Sequence, residues 1–342
     1  MSTIKPLATA DTVSTRTLLN EVIPLTGTIV SGTYNDNNIK NYAHQMFQSV
    51  YDYPYLSSPA NHIFDVTVGY SSVSSLSSSA NTQNSKKINI YNQLAQLLVG
   101  YDTTSAIQRF DQDGDLASGG TKNDAAFFLS FSRLLSKDEI KKGSFTLQVL
   151  TGGINSSPSS ILTISDYGAS TDYRTNSPAG EFGILYTSSA AVDGTGVGLI
   201  YYQAGIAVVT ASIFNGNFGP RSDSSTYTSS VTNYFASGSI TGSCDGFRNR
   251  LYNIQFNNTT ELNSTVYFCR ANHNEFNYST NPTYLSGGQI IVKNNATDAP
   301  VSYITTVGLY SADNELLAVA KLSEPLKKSI DNELTVRVRL DY

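Results

Sequence analysis

Residues 334–341 read Leu-Thr-Val-Arg-Val-Arg-Leu-Asp, and this alternation decides the fold class. Leu334, Val336, Val338 and Leu340 fall on one side of an extended chain. Thr335, Arg337, Arg339 and Asp341 fall on the other, the period of two that a half-buried β-strand requires. Just upstream, Val301–Leu309 and Leu316–Leu322 flank Ser311-Ala312-Asp313-Asn314, a turn-forming sequence, so a hairpin is expected there. Working back, strand patterns recur at 144–151, 160–166, 181–187, 197–203, 206–214, 249–256, 264–270 and 289–293. His62–Tyr70 and Ala125–Ser132 add two more, the latter with Phe127, Leu129 and Phe131 on one side. Many short strands separated by turn residues indicate antiparallel sandwich or barrel-like modules.

Composition agrees. Only 14% of the residues are charged, against about 25% in average soluble chains, so Ser, Thr, Asn and Gly supply the polar surface. Tyr and Phe are abundant and Trp is absent, which suits strands. The net charge of -5 argues against a nucleic-acid or anionic-membrane surface, since either needs a basic stripe. No apolar run approaches the ~20 residues of a membrane helix, and Met1–Thr15 lacks the apolar centre of a secretory signal.

Helix patterns are confined to the N-terminal third. Ile39, Tyr42, Ala43, Met46, Phe47 and Val50 share one face of a helix over 38–52, and Pro54 ends it. Tyr91, Leu94, Ala95 and Leu98 do the same over 87–100, with Gly100 as the stop. Ser136-Lys137-Asp138-Glu139 has the form of a capping box before a short helical turn ending by Gly143. The expected organisation is therefore an extended arm over 1–30, a mixed α/β region over 31–143, and an antiparallel β region over 144–342. The mixed region contains a Ser-rich linker at 71–85, and the β region holds one or two modules closed by the C-terminal hairpin and strand. The fold class is mainly β (α+β).

The residues that could carry chemistry favour plainer roles. His44, His62 and His273 are far apart in sequence and none lies in a zinc motif. Gly242-Ser243-Cys244-Asp245-Gly246 has nucleophile-elbow spacing, but Arg248–Phe256 reads as a strand where the elbow needs a helix, so a turn between strands is the better reading. Cys244 and Cys269 are too few for a disulfide framework. Asp111, Asp113 and Asp115 place hard oxygen ligands at Ca²⁺-loop spacing, yet Leu116 stands where an EF-hand needs Gly and Lys122 where it needs Glu. A solvated acidic loop is favoured over a structural Ca²⁺, the one cofactor the sequence admits. Asp138 and Glu139 fit a helix N-terminus without a hydrolytic role. Tyr51, Tyr53 and Tyr55, with Tyr201 and Tyr202, suit either strand packing or carbohydrate and protein contacts. No catalytic or cofactor-binding residue is assigned.

Tyr303-Ile304-Thr305-Thr306-Val307-Gly308-Leu309-Tyr310 runs into Asn314-Glu315-Leu316-Leu317-Ala318-Val319-Ala320, and this resembles a hairpin of phage tail-collar fibre and baseplate proteins. Asn314 stands where that hairpin commonly has Gly, and Asn tolerates the same backbone. Asn92–Val99 with Tyr101 and Asp102, Arg109-Phe110-Asp111, Gly242–Asn253 and Asn281–Gly287 are similar to uncharacterised virion proteins of contractile-tailed phages, including marine and cyanobacterial ones. The resemblance implies a non-enzymatic structural part of a bacteriophage tail, at the baseplate or fibre attachment. Its partners would be copies of itself and other tail proteins, with host-surface contact but no nucleic acid or membrane insertion. Such a protein is assembled in the bacterial cytoplasm and ends in the virion. Three alternatives stay open: a receptor- or glycan-binding fibre protein, a head or neck component, and a glycan depolymerase using paired carboxylates.

Overall fold

The computed structural model describes residues 4–24, 36–58, 60–116, 119–150, 161–187, 196–214, 230–278, 285–286, 289–290, 297 and 299–342. In chain order the elements begin with β1 (Thr12–Pro24), β2 (Ile39–Asn41), β3 (Gln48–Tyr51), β4 (His62–Tyr70), α1 (Asn84–Leu98) and β5 (Ala125–Phe131). Then follow α2 (Arg133–Ser136), β6 (Glu139–Ile140), β7 (Thr146–Leu150), β8 (Ile161–Ser165), β9 (Arg174–Ser177), β10 (Gly180–Leu185), β11 (Gly198–Tyr201) and β12 (Ile206–Thr210). The rest are α3 (Val231–Ser237), α4 (Ile240–Arg250), β13 (Leu251–Ala271), β14 (Leu285–Ser286), β15 (Gln289–Ile290), β16 (Val301–Tyr310), β17 (Leu316–Ser329) and β18 (Leu334–Asp341). The protein is mainly β, and its sheets are antiparallel and open, not closed into a barrel.

Two compact units emerge, one of Met1–Leu18 with Glu261–Tyr342 and the other of Leu19–Thr260. These cuts fall elsewhere than the composition shifts near residues 30 and 143. The strand β1 pairs along β13 within its own chain, so the extended N-terminal segment is part of a sheet. Residues 25–30 of the expected arm and 291–293 of an expected strand lie outside the described residues.

The larger unit is built on an eight-stranded sheet in the order β2-β3-β4-β5-β12-β11-β10-β9. At its middle, β5 pairs with both β4 and β12. On one face, Phe127 packs against Phe235 and Phe247, with ring centroids 5.0 and 4.9 Å away, beneath α3 and α4. Further along the same face, Phe131 meets Phe145 and Phe256 beside β7 and the start of β13, a sheet-on-sheet contact. On the opposite face Phe128 packs under Tyr91 of α1. That helix lies so close to β4 that a Cβ on Gly69 would sit 2.7 Å from the Lys87 carbonyl oxygen, so only glycine fits there. Cover on both faces explains why Ala126–Leu129 are all buried where simple alternation predicts one buried side.

Three local expectations are corrected. Residues 38–52 form no helix but the hairpin β2–β3, with Ile39 opposite Val50 and Asn41 opposite Gln48. Two-fold pairing about a turn puts 39 with 50, 42 with 47 and 43 with 46, which also happens to match helical spacing. Gln45, at φ +56°, makes the turn. The Ser136–Glu139 capping box is not used: α2 precedes it, and Glu139 begins β6. Gly242–Gly246 is neither elbow nor turn but the middle of α4. Ser239 caps that helix, its Oγ accepting from the Gly242 N–H at 3.0 Å. The two strands expected at 249–256 and 264–270 are one strand, β13. Helices α3 and α4 thus add helix beyond the N-terminal third. The Ser-rich segment from Ser71 is a run of turns in which serine hydroxyls accept from nearby N–H groups, and residues 84–85 already belong to α1.

In the smaller unit, β18 pairs with the second half of β13 from Ser264↔Asp341 to Ala271↔Leu334. The alternation of residues 334–341 is kept, with Val338 buried and Arg337 and Arg339 exposed.

Candidate functional site

Strands β16 and β17 form a ribbon to which no third strand is added among the described residues. Val301 faces Ser329 at the base, and Tyr310 faces Leu316 at the tip. The turn expected at Ser311–Asn314 is present. Ser311 Oγ accepts from the Asp313 and Glu315 N–H groups, and Asn314 takes φ +63°. The base is tethered by Lys328, whose buried ammonium donates to the carbonyl oxygens of His273 and Ser329 and, at 2.7 Å, to Asn277 Oδ1. Toward the tip the cover ends. Tyr310 is 45% exposed, Leu316 53%, Leu317 68% and Val319 53%. The Tyr310 ring lies over Gly308, where a Cβ would come within 2.9 Å of it. A two-stranded ribbon is marginal in water by itself, and this one carries several exposed apolar side chains near its tip. In the same unit, Val13 and Leu18 of β1 are about half exposed along a sheet edge.

The acidic loop is already supplied with a cation. Asp111, Asp113 and Asp115 bring carboxylate oxygens within 4.8 Å of one another. Lys122 Nζ sits 2.5 Å from Asp111 Oδ2, on the buried member of the three. Burial raises the pKa of Asp111, and the Lys122 ammonium works against that rise. The arrangement is a lysine-closed loop, to which Gly114 and Gly120 contribute positive φ.

The histidines have separate surroundings. His44 stacks on Tyr42 at 5.1 Å, His62 bonds Asp65 at 2.9 Å, and His273 lies 3.5 Å from Glu333. Cys244 is buried on α4, donating to the Val66 carbonyl at 3.3 Å, and burial pushes its thiol well above the usual range, the opposite of what a nucleophile needs. Cys269 is half-buried, and both cysteines are free thiols. Glu139 pairs with Lys142, which also binds Glu181 at 2.6 Å. Tyr201 and Tyr202 are core residues, whereas Tyr53 is exposed and Tyr51 packs near Tyr55 and His62.

Two buried ionisable groups were not legible in the sequence. Lys87 on α1 is fully buried and donates to the Phe235 and Gly238 carbonyl oxygens, satisfying the end of α3. Burial pulls its pKa down to about 8. Asp166 accepts from Gly143 N–H at 2.7 Å, Phe145 N–H at 3.0 Å and the Tyr202 hydroxyl at 3.0 Å, locking two turns together. Burial still pushes it up to about 6. Both are explained by the backbone they hold.

No family model, curated protein or solved structure matches this chain. Its function is read from its own surfaces.

Proposed function

We propose that this chain is a non-catalytic structural component of a bacteriophage tail, at the baseplate or fibre attachment, acting by assembly with copies of itself and other tail proteins. The observation that supports this is the β16–β17 ribbon, tethered at its base and apolar at its uncovered tip. The ribbon coincides with the segment whose sequence resembles the tail-collar hairpin. A partner lying across Tyr310, Leu316, Leu317 and Val319 would remove their apolar area from water, worth about 25 cal/mol for each Å² covered. Copies arranged around an axis would close that contact into a ring. On this proposal the protein works in the virion, with host-surface contact and without nucleic-acid or membrane partners.

The test is light scattering coupled to size exclusion on the full chain over a range of concentrations, with negative-stain imaging of any large species. The Leu317→Ser/Val319→Ser variant is run beside it. A closed oligomer that dissociates in the variant is expected. A monomer at every concentration, or an oligomer indifferent to the two serines, would overturn assembly through the ribbon.

A further inference from the structure

The larger unit carries a surface depression of about 600 Å³ between the end of α1, the 101–116 loop and the β9–β10 turn. Gln96, Val99, Tyr101, Gln108, Leu116 and Pro178 line most of it. The depression is open to solvent, so a ligand seated in it would keep part of its surface in water. We propose that this depression binds a neutral saccharide of one or two rings. This rests on different residues from the assembly role and stands or falls independently of it.

Its charge narrows the ligand. No lysine or arginine is among the lining residues, and Asp115 adjoins the acidic cluster with Asp111 and Asp113. A phosphate, nucleotide or acidic sugar would meet the Asp115 carboxylate with no lysine or arginine among the lining residues, Lys122 being held on Asp111. A neutral ligand meets no such penalty.

The polar groups fit hydroxyls. The side chains of Gln96 and Gln108 make no hydrogen bond to other described residues, so each amide keeps its donors and its acceptor available. Adjacent sugar hydroxyls present the same combination of donor and acceptor. Asn176 is held differently, its amide donating to the Gly114 and Asp115 carbonyl oxygens at 3.3 Å, which ties the loop to β9.

The apolar groups fit the ring. Tyr101 is 54% exposed, and neither its ring nor its hydroxyl has a partner among the described residues. An amphipathic ring of this kind offers a face to the C–H side of a sugar and a hydroxyl to its edge. Pro178 adds an apolar side chain to the lining, and Val99 lies beneath it in the core. Leu116 is held at φ +59°, a conformation a leucine adopts at a cost. Residues held in such conformations cluster at ligand-binding positions.

The experiment is saturation-transfer NMR followed by calorimetric titration of the full chain. The probes are maltose, cellobiose, lactose and N,N′-diacetylchitobiose, with glucose 6-phosphate as the anionic comparison. Tyr101→Ala and Gln108→Ala alter the surface of the depression, and Tyr53→Ala alters an exposed tyrosine elsewhere. At least one disaccharide is expected to bind saturably, with affinity about fivefold weaker in each of the first two variants and unchanged in Tyr53→Ala. The proposal is overturned by the absence of saturable binding to all four disaccharides. Binding that survives both Tyr101→Ala and Gln108→Ala, or that favours glucose 6-phosphate, would overturn it equally.

Discussion

Replacing Lys87 by Met removes the buried ammonium while nearly keeping the side-chain volume. The consequence lies in the pH dependence of stability. In the folded protein Lys87 has a pKa of about 8 against 10.5 for an ordinary lysine, because burial disfavours its charge. Between those values the unfolded chain binds more protons than the folded one, so stability must rise as pH rises. The full difference sets a ceiling of about 3 kcal/mol at about 1.4 kcal/mol per pH unit. The Phe235 and Gly238 carbonyl oxygens partly replace the water that the ammonium gave up, so about 1–2 kcal/mol is expected between pH 7.5 and 10. Well below pH 8 the lysine is charged in both states and adds no slope. Urea unfolding followed by near-ultraviolet circular dichroism, at intervals from pH 7 to 10, measures the effect in the wild type and in Lys87→Met. The difference between the two proteins should widen with pH in favour of the wild type, which cancels the titration of every other group. Parallel curves over that range would show that the ammonium is not desolvated and would refute the account of how α1 holds α3.

Two further outcomes test the architecture around it. Phe127→Ala empties a site enclosed by Phe214, Phe235 and Phe247, and a loss of about 3–5 kcal/mol in urea unfolding is expected; a loss under 1 kcal/mol would mean that α3 and α4 do not close over the sheet. With Cys269→Ser as background, the remaining thiol of Cys244 should stay unlabelled by a disulfide reagent under native conditions and react only as the protein unfolds. Prompt stoichiometric labelling at neutral pH would instead restore a reactive, accessible cysteine.

Much of the β architecture was legible in the sequence. Residues 334–341 declare themselves because one face is more buried than the other, and that contrast is written into successive residues; 62–70 is legible from Ile63, Val66 and Val68 among polar neighbours, although the folded strand is covered on both sides. The Ser311–Asn314 turn was legible for a similarly local reason: Ser311 bonds the backbone just after it, and Asn accepts positive φ. The signal for α4 was present but faint. Ser239 stands at its N-cap with Ile240, Cys244, Phe247 and Leu251 along one side, yet Gly242 and Gly246 are weak helix formers that masked it. At Gly242 the Tyr234 hydroxyl comes 2.5 Å from where a Cβ would lie, so a larger residue would have to displace it, a constraint known only once the two helices are side by side.

What the sequence determined by itself is therefore the secondary structure wherever neighbours along the chain settle burial. What only the tertiary structure decided is everything set by residues distant in the chain. Apolar residues at 39, 42, 43, 46, 47 and 50 satisfy a helix and a hairpin equally well, and β4, by pairing with β3, selects the hairpin. The candidate sites follow the same division. The apolar hairpin could be read from its residues, but its lack of cover could not. Nor could the meeting of Tyr101, Gln96 and Gln108 with Pro178, because exposure and proximity belong to the folded chain, not to any stretch of it.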